Sequence, residues 1–426
     1  MEEIKLGMVG LGTVGSGVLE MVQKHAAKIS AVTGRKLALK TVVVRNLAKH
    51  AAVAQQVHLT TDLNEILTDP EIKIVVEVMG GIHPAKEVIT QLLTAHKHVV
   101  TANKDLIATE GAELIELARA NHCDLLYEAS VAGGIPILRT IADSFAADQI
   151  TEVKGIVNGT TNYILTRMTA EGMEFSEALA RATELGYAEA DPTADIEGYD
   201  AARKVAILAS IAFNSRVTFS DVYTEGITKI TAADIRYAAE LDMVIKLLGV
   251  ARNTEGGIEA GVYPMLIPSS HPLASVHDAF NAVFVHGDAV DDAMFLGRGA
   301  GQLPTGSAVA GDVFEIARNI QAGSTGKISC TCYKNLPVKP VEEMRSRYFL
   351  RLKAEDRPGV LAGIASVFGN NNVSISQVIQ KSASGGAAEL VVITDQVVER
   401  HFRDSLLVIK ELSMVKEISS VLRVYG

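Results

Sequence analysis

The chain has 426 residues, of which 48% are hydrophobic and 21% charged, and its formal net charge is −10. It is long enough for two or three domains with separate cores. Because no block of Lys or Arg offsets the negative charge, we exclude nucleic acid and membranes as partners. The start at Glu2 and Glu3 lacks the basic and apolar regions of a signal peptide, and no apolar stretch could span a bilayer, so we expect a cytoplasmic protein.

A glycine-rich loop follows a strand predicted at residues 4–9 and precedes a helix with an apolar face. Between a strand and a helix, this spacing is the Rossmann fingerprint. Its glycines allow a tight turn and close approach of a pyrophosphate, and the helix N-terminus supplies N–H donors. The alternative is a glycine-rich turn that binds nothing. The predicted cofactor-binding residues of this loop are Gly10, Gly12, Thr13, Val14 and Gly15.

The second predicted strand, at residues 37–44, ends at Arg45 and not at the Asp or Glu that would hold an adenosine ribose 2′-hydroxyl. A cation suits the 2′-phosphate of NADP better, and Lys49 follows one helical turn later. We therefore predict NADP in preference to NAD. The alternative is that both side chains are solvated.

Strands and helices keep alternating, with a strand at 74–79, a helix at 84–95 and a strand from His98 that leads into Asn103 and Lys104. This order predicts a parallel sheet, whose ligands lie beyond the carboxyl ends of its strands. Lys104 lies at such an end. We predict an active-site role for it in preference to the usual solvent-facing lysine.

A strand at 152–157 leads into the segment Asn158-Gly159-Thr160-Thr161-Asn162, which opens a helix at 163–168. N–H and hydroxyl donors at a helix start suit an anion. Thr160 is the candidate donor, and the alternative for it is an ordinary helix N-cap.

Carboxylates collect in the stretch from Gly186 to Lys204. Its loop contains Pro and Gly, where functional groups tend to lie, and so many acids need a cationic partner or ligand. A helix predicted at 199–213 follows, and its Asp200 and Lys204 lie one turn apart on one face. The alternative is a surface ion pair worth about 0.3–0.5 kcal/mol. The acids of the loop are Glu189, Asp191 and Asp195.

The middle of the chain mixes strands with longer helices, predicted at 176–185 and 232–250, and fits an α+β layer. A helix at 312–319 is expected to pack back on the first domain, and residues 323–347 have the composition of a linker. The C-terminal region then predicts a βαββαβ unit. Its strands are expected at 349–353, 373–380, 388–394 and 415–424, and its helices at 360–369 and 402–411.

Three cysteines, Cys123, Cys330 and Cys332, give no even disulfide framework, and Cys-x-Cys without a second ligand pair is a poor zinc site. We predict that all three are reduced and structural.

At this point the chain resembles homoserine dehydrogenase of the form with a C-terminal ACT domain, over nearly its full length. Besides the glycine loop, the resemblance rests on residues 99–104, 127–136, 182–204 and 297–309. It implies an α/β fold in three parts. These are a Rossmann NAD(P)-binding domain at 1–130 with a return helix at 305–322, an α+β catalytic and oligomerisation domain at 131–304, and, after the linker at 323–347, a ferredoxin-like ACT domain at 348–426.

The resemblance also implies reversible NAD(P)-linked interconversion of L-aspartate 4-semialdehyde and L-homoserine, toward threonine, methionine and isoleucine. Hydride addition to an aldehyde builds negative charge on oxygen, so the site needs a proton donor. Our choice is Lys204, held in place by Asp200. Lys104 is the second choice, and by family likeness it also lies near the nicotinamide, with Thr101 among the cofactor-binding residues.

The amino-acid end of such a substrate needs an anion near its ammonium and donors near its carboxylate. Glu189 and Asp195 are the candidates for the ammonium, and Thr160 is the candidate for the carboxylate.

In the family, a loop similar to residues 128–135 binds a monovalent cation, usually Na⁺, through a glutamate and backbone carbonyls. Oxygen ligands suit a hard cation, and glycines let carbonyls converge. The alternative is a Gly-Gly hinge with the glutamate as a buried hydrogen-bond acceptor. The corresponding residues are Glu128, Val131, Gly133 and Ile135.

The turn from Glu355 to Val360, with Pro and Gly before a helix, resembles the ACT effector loop. Its helix N-terminus suits an amino-acid carboxylate. ACT domains commonly pair, so we predict a homo-oligomer, a dimer or tetramer, with feedback by threonine. The alternative is an ACT domain that only dimerises.

Two other functional classes stay open at this point. An oxidoreductase for another small carbonyl, such as an aldehyde dehydrogenase, would need a thiolate nucleophile, and Cys123 has no fingerprint around it. A non-catalytic amino-acid sensor on a dinucleotide fold would need no proton donor, which Lys104 and Lys204 argue against.

Overall fold

The structure, a computed structural model, describes residues 3–325, 331–382 and 387–426. Glu2 and Cys330 lie outside the described residues. The chain divides into two compact units, each described by itself below. Unit 1 comprises Met1–Val153, Arg203–Val222 and Phe280–Leu336; unit 2 comprises Lys154–Ala202, Tyr223–Ala279 and Pro337–Gly426.

The strands and α-helices are numbered in chain order. The strands are β1 Glu3–Val9, β2 Lys36–Val43, β3 His58–Thr60, β4 Ile72–Glu77, β5 His98–Thr101, β6 Leu125–Leu126, β7 Ile150–Ile156, β8 Tyr223–Thr224, β9 Met243–Thr254, β10 Gly257–Pro268, β11 Phe280–Gly287, β12 Asp291–Arg298, β13 Arg345–Glu355, β14 Ile375–Ser382, β15 Ala387–Thr394, β16 Val397–Val398 and β17 Val415–Val424. The helices are α1 Thr13–Lys24, α2 Ala26–Thr33, α3 Asn64–Leu67, α4 Ala85–Thr94, α5 Lys104–Ala120, α6 Ile137–Arg139, α7 Gly159–Glu171, α8 Phe175–Glu184, α9 Thr193–Ile196, α10 Tyr199–Phe213, α11 Ala232–Glu240, α12 Gln302–Ala322, α13 Val360–Asn370 and α14 Glu399–Glu411.

Unit 1 contains a parallel six-stranded sheet in the order β3-β2-β1-β4-β5-β6. Helices cover both faces, which explains the continuous apolar runs in its central strands. One face packs against α1 and α12 through residues such as Val18 and Val313. The other face packs against α4 and α5 through residues such as Ile89 and Leu114. The parallel sheet predicted from the strand and helix alternation is confirmed.

Helices α1 and α12 approach so closely that both need glycine at their crossing. A Cβ on Gly17 would overlap the carbonyl oxygen of Gln302. A Cβ on Gly306 would lie 2.7 Å from the carbonyl carbon of Gly17. The return helix therefore presses directly on the helix that begins at the glycine loop, and it fixes the direction of that helix.

Unit 2 contains a mixed sheet in the order β9-β10-β17-β13-β15-β14. Strands β9 and β10 form a long antiparallel hairpin, and β17 joins β10 in parallel at Met265 and Arg423. The last part of the chain, from β13 to β17, follows the predicted βαββαβ order, with its own core around Phe368 and Phe402.

The prediction of a single helix at 232–250 is wrong for the second half of that range. Helix α11 ends at Glu240, Asp242 takes a left-handed φ of 56°, and β9 starts at Met243. Alanine, leucine and lysine in this stretch favour a helix locally. The full-length pairing of β9 with β10 outweighs that preference, because strand stability depends on cross-strand contacts that local sequence does not contain.

Other predicted elements are present with shifted ends. The helix predicted at 312–319 is the longer α12, and the strand predicted at 349–353 is the longer β13. The helix predicted at 199–213 and the strand predicted at 415–424 are observed with those bounds, as α10 and β17. Within the described ranges, the helices are too short or too polar to cross a membrane.

Candidate active site

The glycine loop of unit 1 has the shape of a phosphate cradle. Gly10 has a φ of +101°, and a Cβ there would lie 2.8 Å from the carbonyl oxygen of Val78. A Cβ on Gly15 would lie 2.6 Å from the carbonyl oxygen of Gly10. A Cβ on Gly12, in contrast, would meet no atom within 4 Å. The first and third glycines are needed for the turn and the packing, and the second leaves open space where a pyrophosphate can approach.

Helix α1 begins directly after this open position. Gly12 is its N-cap and provides no side-chain hydrogen bond, and the first turn carries no acidic residue. The first N–H groups of a helix have no partner within the helix, so Thr13, Val14 and Gly15 present donors suited to a phosphate. The loop fits a dinucleotide.

The predicted 2′-phosphate residues lie past the end of β2. Arg45 and Lys49 are both exposed, and the Lys49 N–H donates to the side chain of Asn46 at 3.3 Å. This hydrogen bond closes a turn that keeps the two basic residues near one strand end.

The end of β5 is held by a chain of buried hydrogen bonds. The Thr101 hydroxyl donates to the carboxylate of Glu77 at 2.6 Å, and it accepts the N–H of Asn103 at 3.0 Å. Asn103 then caps α5 by accepting the N–H of Leu106 at 3.2 Å. Because the Thr101 side chain is fully buried, only its backbone is suited to contact a cofactor. These bonds set the position at which Lys104, the first residue of α5, begins the helix.

Helix α10 is tied to the same place within unit 1. The guanidinium of Arg203 pairs with the carboxylate of Asp105 at 2.6 Å and stacks over the ring of Phe219 at 4.6 Å. Arg203 precedes Lys204, and Asp105 follows Lys104. No motif in the sequence singles out this ion pair, because the two residues lie about a hundred positions apart.

The carboxylates of unit 2 gather around one amide. The side-chain NH₂ of Asn158 donates to Asp195 at 2.7 Å and to Asp200 at 2.9 Å. Asp200 is buried and Asp195 is half-buried. The structure thus brings together two of the predicted carboxylates, and it adds Asn158 as their shared donor.

Thr160 contacts the loop that carries Glu189. The Thr160 hydroxyl donates to the backbone carbonyl of Tyr187 at 2.7 Å, two residues before the exposed Glu189. The ring of Tyr187 packs against Tyr163 with 4.8 Å between centroids. The cap of α7 is Asn158, so the alternative of an N-cap role for Thr160 is wrong. The hydroxyl of Thr160 instead ties the start of α7 to the loop that carries Glu189.

The loop after Glu128 is tightly turned. Ala132 and Gly133 both have left-handed φ angles, and a Cβ on Gly133 would overlap the carbonyl oxygen of Gly299. Both carboxylate oxygens of Glu128 accept backbone N–H groups, from Leu138 at 2.9 Å and Arg139 at 2.8 Å. Glu128 is therefore a buried hydrogen-bond acceptor, as the hinge alternative expected, and its carboxylate keeps lone pairs for a further ligand.

A second buried carboxylate supports this loop. Asp312 on α12 accepts the backbone N–H of Glu128 at 2.9 Å and pairs with the guanidinium of Arg139. Burial raises the pKa of Asp312 to about 7 against the opposing effect of Arg139, and burial also raises the pKa of Glu128.

Near the C-terminus, a pocket of about 370 Å³ lies at the predicted effector loop. Glu355, Arg357, Gly359 and Gln380 are among its lining residues. Gly359 has a φ of +88° and is the N-cap of α13, without a side-chain cap. The pocket therefore combines free helix N–H donors with charged side chains of both signs.

Cys123, one of the two cysteines in the described ranges, is unsuited to act as a nucleophile. Burial raises the pKa of Cys123 to about 11, which is the opposite of what a thiolate requires. Cys332 lies within 3.6 Å of the backbone oxygen of Ser210.

Family models match three parts of the chain. A model described as homoserine dehydrogenase matches residues 136–314, the homoserine dehydrogenase NAD binding domain matches residues 10–128, and the ACT domain matches residues 348–412. The homoserine dehydrogenase of Bacillus subtilis is 42% identical over 429 residues, which cover 100% of this chain and 99% of the relative. The chain belongs to the homoserine dehydrogenase family.

Solved structures agree with this membership. A homoserine dehydrogenase from Thiobacillus denitrificans has a TM-score of 0.96 and 41% identity, and the match covers 100% of this chain and 99% of that one. A hyperthermophilic archaeal homoserine dehydrogenase in complex with NADPH has a TM-score of 0.63 and 25% identity, over 74% of this chain and 97% of that one.

The predicted family, fold class and activity are confirmed. The protein is an NAD(P)-dependent oxidoreductase that interconverts L-aspartate 4-semialdehyde and L-homoserine in the biosynthesis of aspartate-family amino acids. The two alternatives, a sensor and an oxidoreductase for another carbonyl, are therefore set aside.

Proposed function

We propose that this homoserine dehydrogenase uses Lys204 as proton donor and acceptor for the substrate oxygen, with Asp200 orienting it from one turn earlier on α10. The ion pair between Arg203 and Asp105 carries this proposal. Its partners adjoin Lys204 and Lys104 in sequence, so it holds two lysine-bearing backbone segments together at the carboxyl end of β5. Ligands of parallel sheets bind at such ends.

In the reductive direction, the bound dinucleotide supplies the hydride that adds to the aldehyde carbon. The Lys204 ammonium gives its proton to the aldehyde oxygen, which becomes the hydroxyl of homoserine. In the oxidative direction, the neutral Lys204 amine takes that hydroxyl proton. Lys104 adds a second positive charge that stabilises the negative charge developing on the oxygen.

Replacing each lysine by methionine tests these roles, since methionine keeps the length without the proton. General acid-base groups contribute about 10²- to 10⁴-fold, so Lys204→Met should lower kcat by such a factor in both directions, with NADPH affinity near that of the wild type. Wild-type turnover by correctly folded Lys204→Met would overturn the proposal. A larger kcat loss in Lys104→Met, with only KM raised in Lys204→Met, would exchange the two roles.

For the substrate, we propose that Glu189 and Asp195 bind the ammonium group, and that the backbone N–H of Thr160, at the start of α7, receives the carboxylate. The exposed position of Glu189 supports this assignment, because a group that meets an incoming substrate must be reachable. The bond from Thr160 to Tyr187 supports it as well, since it fixes the loop on which Glu189 lies.

For the cofactor, we propose a preference for NADP over NAD, through Arg45 and Lys49. Two exposed cations at the end of β2, in place of an acid, support it. An NADPH complex is known for the archaeal relative.

For the loop after Glu128, we propose a monovalent cation, with Na⁺ the first choice. The carboxylate of Glu128 and the carbonyls of Val131, Gly133 and Ile135 are the suggested ligands, and the left-handed turn at Ala132 and Gly133 supports a convergence of carbonyls. Activity should fall when Na⁺ or K⁺ is replaced by a bulky organic cation at equal ionic strength. Equal activity in the Na⁺, K⁺ and organic-cation salts would contradict the proposed cation site.

For the C-terminal pocket, we propose threonine as a feedback effector in a homo-oligomer, a dimer or tetramer. Charges of both signs beside helix N–H donors match an amino-acid zwitterion. Threonine should inhibit the wild type, and Arg357→Ala should weaken the inhibition. No response to threonine in the wild type would leave dimerisation as the role of this domain.

The domain boundaries and a cytoplasmic location stay predictions.

A further inference from the structure

One side chain of unit 2 contacts both carboxylates that the mechanism uses. The amide nitrogen of Asn158 lies 2.7 Å from Oδ1 of Asp195 and 2.9 Å from Oδ2 of Asp200. Its two N–H groups thus each serve one carboxylate. Asn158 itself is 5% exposed, so water does not compete freely for these bonds.

The orientation of this amide is determined by its surroundings. The oxygen of the Asn158 side chain accepts the backbone N–H of Thr161 and the hydroxyl of Thr161, both at 2.9 Å. Only the oxygen can accept the backbone N–H, because an amide NH₂ is a donor. A flipped amide would also place its oxygen against two carboxylates. The helix cap therefore forces the NH₂ group toward Asp195 and Asp200.

The donor's lack of charge matters for the chemistry. A lysine or arginine at this place would neutralise the two carboxylates that are needed to hold the catalytic amine and the substrate ammonium. A third carboxylate would repel them. A neutral amide holds both in position and leaves their negative charge available.

We propose that Asn158 is a positioning residue that sets Asp195 and Asp200 relative to each other. It thereby couples substrate binding, through Asp195, to the orientation of Lys204, through Asp200. The inference rests on the proposed function for the roles of those two acids. It adds a residue that serves both roles at once without touching the reacting atoms.

The test is Asn158→Asp, which keeps the size and the helix cap but replaces the donor by an acceptor, since Asp caps helices as well as Asn. Homoserine KM should rise and kcat should fall, each roughly ten- to hundredfold, the factor expected from losing a hydrogen bond to a charged group. NADPH affinity should stay near that of the wild type, and the melting temperature should fall because the new carboxylate repels Asp195 and Asp200 at a buried position. A residue with only a structural role would change the melting temperature without this selective effect on homoserine.

Unchanged homoserine KM and kcat in folded Asn158→Asp would overturn the inference. Should that variant fold poorly, Asn158→Ser keeps a capping oxygen without the reach to both acids, and wild-type kinetics there would overturn it equally. The matched control is Asp191→Asn in the same loop, whose side chain accepts bonds from Thr193. It should leave both constants unchanged.

The variants Asp195→Asn and Asp200→Asn distinguish a failure of the positioning role of Asn158 from a failure of the proposed function. Impaired acid variants beside an unimpaired Asn158→Asp would overturn the positioning role alone. Full activity of both acid variants would overturn the proposed function, and with it this inference.

Discussion

The glycine loop of unit 1 and the carboxylate cluster of unit 2 reach defined geometries by opposite means. The loop depends on missing side chains, since Gly10, Gly15 and Gly17 each lie against backbone atoms that leave no room for a Cβ. The cluster depends on side chains that hydrogen-bond to one another, from Asn158 to Asp195 and Asp200. Adding a Cβ to one of these glycines should therefore disrupt the packing of the loop. The geometry of the cluster should be lost when a donor is replaced by an acceptor of the same size.

The largest effect is expected from glycine variants of unit 1. Gly17→Ala must push α1 away from α12, and overpacking of this kind costs about 1–3 kcal/mol or more, so the melting temperature should drop by several degrees. Gly12→Ala is the matched control, because its Cβ meets nothing in the protein. It should keep the melting temperature and weaken NADPH binding. Equal stability of the two variants would contradict the close packing.

In the cluster region, Glu189→Ala should raise the KM for homoserine with little change in the KM for NADPH. Loss of a hydrogen bond to a charged group costs about 1.5–3 kcal/mol, which corresponds to a roughly 10- to 150-fold higher KM. Steady-state kinetics with each substrate varied in turn measures both constants. A wild-type homoserine KM would count against Glu189 as the partner of the ammonium.

Arg45→Glu should change cofactor choice without changing the loop. The acid would repel the 2′-phosphate and accept a ribose hydroxyl, so the ratio of kcat/KM for NADPH to that for NADH should fall about tenfold, an effect reduced by the exposure of this site. The ratio is best measured at low ionic strength, where screening is weak. An unchanged ratio would remove Arg45 from cofactor selection.

A smaller effect is expected at the buried Lys246, whose contribution to folding stability should depend on pH. Lys246 donates to the side chain of Asn162 on α7 and to the carbonyl of Val276, and burial lowers its pKa from 10.5 to about 8. Between these pH values the unfolded chain binds a proton that the folded protein does not, so folding becomes more favourable as the pH rises. The stability of the wild type relative to Lys246→Met should therefore increase across this window. Melting curves of both proteins at the two pH values that bound this window test the prediction. A constant difference in melting temperature between the two proteins would show that the pKa of Lys246 is not lowered.

Much of the fold could be predicted because the signals are local. The glycine spacing between a strand and a helix defines the nucleotide loop, and the apolar face of α10 gives its bounds. The same reasoning failed at 232–250, where a helix-forming composition continues into β9. There the partner strand β10 decides the conformation, and pairing along twelve residues overrides local preference.

The candidate site divides in the same way. Lys104, Lys204, Glu189 and Asp200 could be singled out from residue type and spacing. Asn158 appeared only as part of an anion-binding segment, and its contact with two acids some forty residues later had no signal in the sequence. The Arg203 to Asp105 pair was missed for the same reason, because ordinary charged residues become informative only when folding brings them together.

The sequence by itself determined the family, the activity and the chemical groups available, since glycine loops, helix starts and acid-rich segments carry their function in short stretches of chain. Tertiary structure decided which groups meet: the crossing of α1 and α12 at paired glycines, and the amide that joins two carboxylates. Those contacts arise between residues distant in sequence, where the direction of a donor and the room for one carbon atom are fixed only after the elements have packed.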